Sequence, residues 1–321
     1  MFFLLASMAC SVAVSALLKL ARRHRLHVGQ AIAANYPTAA LLCLLLLRPH
    51  PAALLQPGTP WWALAALGLL LPAVFLAMAG AVRHAGIVVS DAAQRLSLLI
   101  PLLAAFTLFG ETASPGKLAG IAIALAALAC LLWRPPAGAN DAEASVGKSD
   151  CAAQGRMAAH GPAAEKAPAQ SGLLPKNLMR EDGRTRAAAL LACVWLGYGA
   201  IDVLFKQLAR AADFSSGLFA AFGLSALVIG AWLAARRTAW NRRSLAAGVL
   251  LGGLNFGNIY FYLRAHQAYP DNPALVFAAM NIGVIALGTL AGAGVFRERL
   301  SRANAAGLLL AAAAIVALMP R

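Results

Sequence analysis

The sequence predicts an all-α integral membrane protein, with ten transmembrane helices arranged as two inverted five-helix repeats. Three observations lead there. The 321 residues are 61% hydrophobic and only 12% charged, whereas soluble globular chains carry roughly a quarter charged residues. Of the 39 charges, 14 lie between Arg134 and Arg186, so the other 268 residues share 25. That is too few to wet a globule and suits helices lying in lipid. Third, rare residue types recur at one fixed offset between the two halves.

A helix crosses the bilayer with about 20 mainly apolar residues. Ten segments meet this: 2–20, 30–47, 61–82, 92–109, 116–133, 187–208, 215–235, 245–263, 274–295 and 303–319. They are continuous leucine- and alanine-rich runs, not alternating ones, which excludes a β-barrel. The first has no basic residue before its apolar run, its first positive charge being Lys19. Cys10 follows Ser7, Met8 and Ala9, without the leucine usual three places before a lipidated cysteine. The segment therefore reads as a retained first helix. Between the first repeat, 1–134, and the second, 187–321, the stretch 135–186 is rich in Ala, Gly, Pro and both charge signs. It has too little apolar surface to offset its chain entropy and is expected to be a disordered polar linker.

An offset of 187 pairs Lys19 with Lys206, Arg23 with Arg210, Phe109 with Phe296, Glu111 with Glu298, Ser114 with Ser301 and Gly120 with Gly307. The third and eighth spans need an offset of 181 to bring Arg83 onto Arg264. An odd number of spans per repeat starts the second copy on the opposite side of the membrane. The copies are then related by a pseudo-two-fold axis in the membrane plane, the plan of many secondary transporters, whose sites lie near the midplane.

The junctions Gly110-Glu111-x-x-Ser114-x5-Gly120 and Arg297-Glu298-Arg299-Leu300-Ser301-x5-Gly307 resemble those of EamA-type domains in the drug/metabolite transporter superfamily. Pro101, ten residues before Glu111, matches the proline common in that family's fourth span, where the second half has Gly288. The resemblance covers both halves but not the linker, which is longer than the family's connection. It implies ten transmembrane helices and transport of small organic solutes, often amino acids or metabolites leaving the cell. It also implies a cavity ringed by spans one, three, four, six, eight and nine.

The residues themselves offer paired readings. Ser114, followed by Pro115, and Ser301 read as helix N-caps. With Gly120 and Gly307 they form structural helix junctions, in which Glu111 and Glu298 either fix the interface or carry a proton. Asp202 lies about fifteen residues into the sixth span, where a charge is costly and faces a cavity or a partner. Lys206, four residues on, shares its helix face. The two are expected either to neutralise one another or to leave Asp202 in the substrate cavity to bind a cation or proton. Lys19 is the repeat counterpart of Lys206. In the eighth span Gly248, Gly252, Gly253 and Gly257 allow a neighbouring backbone to approach. Asn255, Asn258 and Tyr262 stand on one stripe there, either facing a wet substrate cavity or bonding between helices. Asn281 carries the same two readings in the ninth span. In the fourth, Asp91 and Arg95 are spaced to pair, and Gln94 and Ser97 lie deeper, towards the cavity.

His24, His27, His84 and His266 sit near loop ends without metal-ligand spacing, and neither a catalytic signature nor a phosphate loop occurs. No enzyme activity, cofactor or metal is expected. The formal +15 is spread between hydrophobic spans as loop anchors, which argues against a nucleic-acid partner. Outside the linker, 13 Lys/Arg lie on the side of the first loop and 6 on the other, placing both termini outside the cytoplasm by the positive-inside rule. The family resemblance implies cytoplasmic termini.

The expected function is a multi-pass secondary transporter in a plasma membrane of the bacterial inner-membrane type. It would export a small organic solute by alternating access, possible coupling running through protons. Its partners would be the solute and the lipid bilayer, with a homodimer left open. A lipid or lipid-linked-sugar flippase on the same scaffold, a membrane-embedded enzyme and a non-transporting scaffold are the rival readings.

Overall fold

Apolar chain in lipid must satisfy its own backbone, and a helix does so within one segment. A computed structural model describes residues 1–23, 26–56, 59–132, 176–211, 213–237, 240–296 and 301–319. Among these residues every regular element is helical. The helices are α1 (Phe2–Arg23), α2 (Val28–Leu47), α3 (Trp61–Ala85), α4 (Ile87–Leu96), α5 (Leu99–Thr107), α6 (Pro115–Leu132), α7 (Lys176–Ala209), α8 (Phe214–Ala235), α9 (Arg242–Ala268), α10 (Pro273–Phe296) and α11 (Arg302–Leu318). A short 3-10 turn covers Pro51–Leu55. Among the described residues eight helical stretches are long and apolar enough to cross a membrane, with α4 and α5 together making one of them. Phe2–Leu17 and Arg302–Leu318 are shorter apolar helices. The chain is an all-helical, multi-pass membrane protein.

Two compact units divide it: Met1–Leu132 with Gly183–Arg321, and Trp133–Asp182. Of the second, the described residues are 176–182, which are helical. The expected linker 135–186 is thus corrected at its end. Its residues 176–186 belong to α7, and the disorder expected of the rest falls outside the described residues.

The fourth span is also corrected, from one helix at 92–109 to two that begin earlier. Gly86, at φ +84°, turns the chain between α3 and α4, a left-handed conformation open to glycine at little cost. Pro101 accounts for the break between α4 and α5. It has no N–H to give the Ser97 carbonyl four residues back, which instead accepts from Ile100 N at 3.0 Å. Four later helix starts carry side-chain caps. Ser114 Oγ accepts from Lys117 N at 3.3 Å and Ser301 Oγ from Asn304 N at 3.1 Å. Asn241 Oδ1 accepts from Arg243 N at 2.9 Å, and Asp213 receives both Ser215 N and Ser216 N.

Small residues set the helix contacts. A Cβ added at Gly248 would stand 2.5 Å from the Ala31 carbonyl oxygen, and one at Gly252 2.6 Å from that of Asn35. This is the close approach expected of the eighth span, and it runs α2 and α9 parallel. Likewise α3 and α8 run parallel, with Ser225 Oγ donating to Gly68 O at 3.1 Å and Gly217 set against Leu64. By contrast α6 and α11 are antiparallel. Gly120 near the start of α6 meets Leu318 at the end of α11, and Gly307 near the start of α11 meets Leu131 at the end of α6. Helices α1 and α9 are antiparallel too, with Phe3 stacked on Phe261 and Cys10 beside Gly257. Gly283 of α10 packs on Met8 of α1, while Gly197 and Gly199 of α7 pack on Val74 of α3 and Ile100 of α5.

Candidate functional site

Along α7 the residues Tyr198, Asp202 and Lys206 follow at four-residue spacing, hence on one face. The Asp202 carboxylate accepts a hydrogen bond from the Tyr262 hydroxyl of α9 at 3.0 Å. The side chain of Asn281 in α10 also bears on it, while donating through Nδ2 to Phe277 O at 3.1 Å. Phe205 meets the Tyr262 ring edge-on at 6.3 Å. Asp202 and Asn281 are half-buried, while Tyr262 is 4% exposed.

Asn258, one turn before Tyr262, joins α1. Ser7 Oγ donates within 2.9 Å of both the Asn258 carbonyl and its Oδ1, and lies 3.4 Å from Met280 Sδ. Asn255 is 6% exposed, with its Nδ2 unpartnered among the described residues. The structure therefore brings Asp202, Tyr262 and Asn281 together, with Asn258 adjoining through α9 and Asn255 deeper in the packing.

In the fourth span the bonds made by Ser97 and Arg95 are local. Ser97 is buried and spends its hydroxyl on the Gln94 carbonyl at the helix break. Gln94 is half-buried. Asp91 and Arg95 pair as spaced, at 3.6 Å. Tyr198 links this region to the site, lying within Coulombic reach of Arg95, Asp91 and Asp202, while Trp195 Nε1 donates to Leu96 O at 3.0 Å.

Lys206 does not neutralise Asp202; among the described residues the two make no ion pair. It is 1% exposed, and its Nζ donates instead to the Pro270 carbonyl at 2.9 Å, in the turn between α9 and α10. Further contacts gather near that turn. Arg210 donates to Phe109 O at 3.2 Å and covers the Phe109 ring. Buried Glu111 accepts from Ala274 N of α10 at 2.9 Å through one oxygen and holds Lys117 at 2.9 Å through the other. Glu111 thus caps a helix of the second half as well as bracing the start of α6. The Lys19 side chain and all of Glu298 lie outside the described residues.

Five further residues belong here. Ser7, Asn35, Tyr36, Tyr198 and His266 are polar side chains in the bundle, four of them fully or almost fully buried and Tyr198 half-buried. His266, read from sequence as a loop-end residue, sits edge-on between the Tyr262 and Phe277 rings, 4.8 Å from each. A single polar residue in an apolar run was the available signal for Ser7 and Asn35, and the i, i+4 relation to Asp202 for Tyr198. A groove lined by Leu17, Leu20, Leu26, Arg243 and Leu250 shares no residue with the cluster.

A protein of Haemophilus influenzae, described only as uncharacterized, is 42% identical over 323 residues, covering 98% of this chain and 96% of that one. The chain belongs to that protein's family. No protein-family model matches it. A solved crystal structure aligns with a TM-score of 0.66 at 15% identity, over 98% of this chain and 94% of that one. That likeness is one of fold alone.

Proposed function

We propose that the chain is a ten-helix, EamA-like secondary transporter whose two five-helix halves are inverted copies. It moves a small organic solute, such as an amino acid or metabolite, outward across a plasma membrane of the bacterial inner-membrane type by alternating access. The observation that carries this reading is Asp202: a half-buried carboxylate inside a span, with neutral partners and, among the described residues, no cation paired to it. Such a group is expensive in a membrane helix and marks an ion or substrate pathway.

The packing supports the inverted arrangement. The offset of 187 turns Gly120 into Gly307 and Leu131 into Leu318. Exchanging the halves therefore exchanges the two α6–α11 contacts, as across a two-fold axis. An axis along the membrane normal would make these helices parallel; they are antiparallel, which fits an axis in the membrane plane.

Purified protein in proteoliposomes, given a panel of amino acids, sugars and polyamines under a pH gradient, tests the reading. Uptake of at least one solute that is lost in Asp202→Asn supports it. No protein-dependent flux of any panel solute, or flux indifferent to Asp202→Asn, counts against it.

A further inference from the structure

Asn35, Tyr36 and Asn255 are among the buried side chains whose hydrogen-bonding capacity the described residues do not use, as is His266 beside Tyr262. Asn35 is 0% exposed, yet neither of its amide atoms has a partner. Tyr36 beside it is 0% exposed with an unpartnered hydroxyl, and Asn255 is 6% exposed with an unpartnered Nδ2. Folded proteins pair nearly all such atoms, so each one left over asks for water or a ligand.

Their positions relate them to the Asp202 cluster. The Asn35 carbonyl touches α9 at Gly252, one turn before Asn255. Tyr36 lies within Coulombic reach of Tyr198, and Tyr198 within that of Asp202. On α9, Asn255 and Tyr262 fall on the same stripe, about 10 Å apart by helical rise.

The two ends differ in chemistry. Around Asp202 a carboxylate with neutral partners stands beside the rings of Tyr262 and Phe205, surroundings that attract a cation by charge and by ring quadrupole. Around Asn35 there are amides and a phenol. Helix α2 has no charged residue, and the charges of α9 nearest Asn255 in sequence are Arg243 and Arg264. A charged group at that end would find no counter-charge on α2 and none on α9 within two turns of Asn255, while a neutral one would find donors and acceptors.

We propose that Asn35, Tyr36 and Asn255 form a neutral subsite, and that the solute is a protonated amine with an uncharged amide or hydroxyl up to about 10 Å from its nitrogen. The amine is taken by Asp202. This assignment rests on the transporter reading and narrows its substrate class.

Binding of two amines of similar length to the purified full chain tests it, measured by calorimetry: N-acetylputrescine, which ends in an amide, and n-hexylamine, which does not. Wild type should bind N-acetylputrescine about tenfold tighter, the equivalent of about 1.4 kcal/mol. Asn35→Leu and Asn255→Leu should abolish that preference by weakening N-acetylputrescine and not n-hexylamine, and Asp202→Asn should weaken both ligands. Tyr36→Phe, which removes only a hydroxyl, should reduce the preference and carries the test if the leucine variants do not fold. Equal wild-type affinities, or a preference untouched by these substitutions, overturn the subsite; the second is the outcome if water alone fills it. If neither amine binds while another panel solute is transported, the amine class fails and the transporter reading stands.

Discussion

The Tyr262 hydroxyl donates to Asp202 Oδ1 at 3.0 Å, tying α9 to α7 beside the half-exposed part of the interior. A hydrogen bond to an ionised acceptor is worth about 1.5–3 kcal/mol. Removing it by Tyr262→Phe should leave the fold intact and lower uptake in proteoliposomes by roughly tenfold or more. Asp202→Asn should abolish pH-driven uptake altogether. Equal rates in wild type and both variants would remove Asp202 from the mechanism.

Packing between α6 and α11 gives a stability test with an internal control. A Cβ at Gly120 would stand 2.9 Å from Leu318, and one at Gly307 would stand 2.7 Å from Leu131. Overpacking costs about 1–3 kcal/mol. Gly120→Val and Gly307→Val should therefore both lower the melting temperature in detergent. Adding Leu318→Ala to the first and Leu131→Ala to the second should recover part of each loss. Melting temperatures that are unaffected, or a loss that the second substitution deepens in both pairs, would contradict these contacts.

Glu111 supplies the acceptor for the first free amide of α10, Ala274 N, and pairs with Lys117. A buried donor left without a partner costs about 1–3 kcal/mol. Glu111→Ala should destabilise the protein by that order in thermal unfolding, and Glu111→Gln, which keeps an oxygen, by clearly less. Glutamine as damaging as alanine would mean that the charge pair with Lys117 outweighs the cap.

How much of this was legible in the sequence depends on the range of the interaction. Apolar runs and their length revealed a multi-pass helical protein, and Ser114, Ser301, Gly248 and Gly252 gave local caps and close contacts, because capping and small-residue packing depend on neighbours a turn away. The fourth span was read as one helix although Pro101 was in view, since proline within a membrane helix does not always break it: Pro37 and Pro72 lie inside α2 and α3. A pair between Lys206 and Asp202 was one of the two readings, because they share a helix face. Periodicity fixes the face but not which turn of a distant segment arrives there, and the carbonyl of Pro270, 64 residues away, took the ammonium. The same reason hid Ala274 as the partner of Glu111 and the burial of His266.

Asp213, in the turn before α8, gives a pH dependence. Burial alone would raise its carboxyl, but the hydroxyls and backbone amides of Ser215 and Ser216 donate to it and hold it below the usual carboxylate value. A carboxyl depressed in the folded state stabilises the protein above its unfolded value of about 3.9, and that contribution is lost as pH falls through the folded value. The melting-temperature gap between wild type and Asp213→Ala should accordingly be constant from neutral pH to about 5 and should shrink below about 4. A gap that widens on acidification would contradict the capping geometry.

Access to the interior tests the transporter account most directly. In a background without Cys10, Cys43, Cys130, Cys151 and Cys193, single cysteines at Asn258 and Tyr262 would be exposed to a membrane-impermeant thiol reagent, from each side in turn, with and without a transported solute. Labelling from either side, slowed by that solute, is the predicted result; cysteines that stay unlabelled from both sides and indifferent to every solute would contradict it.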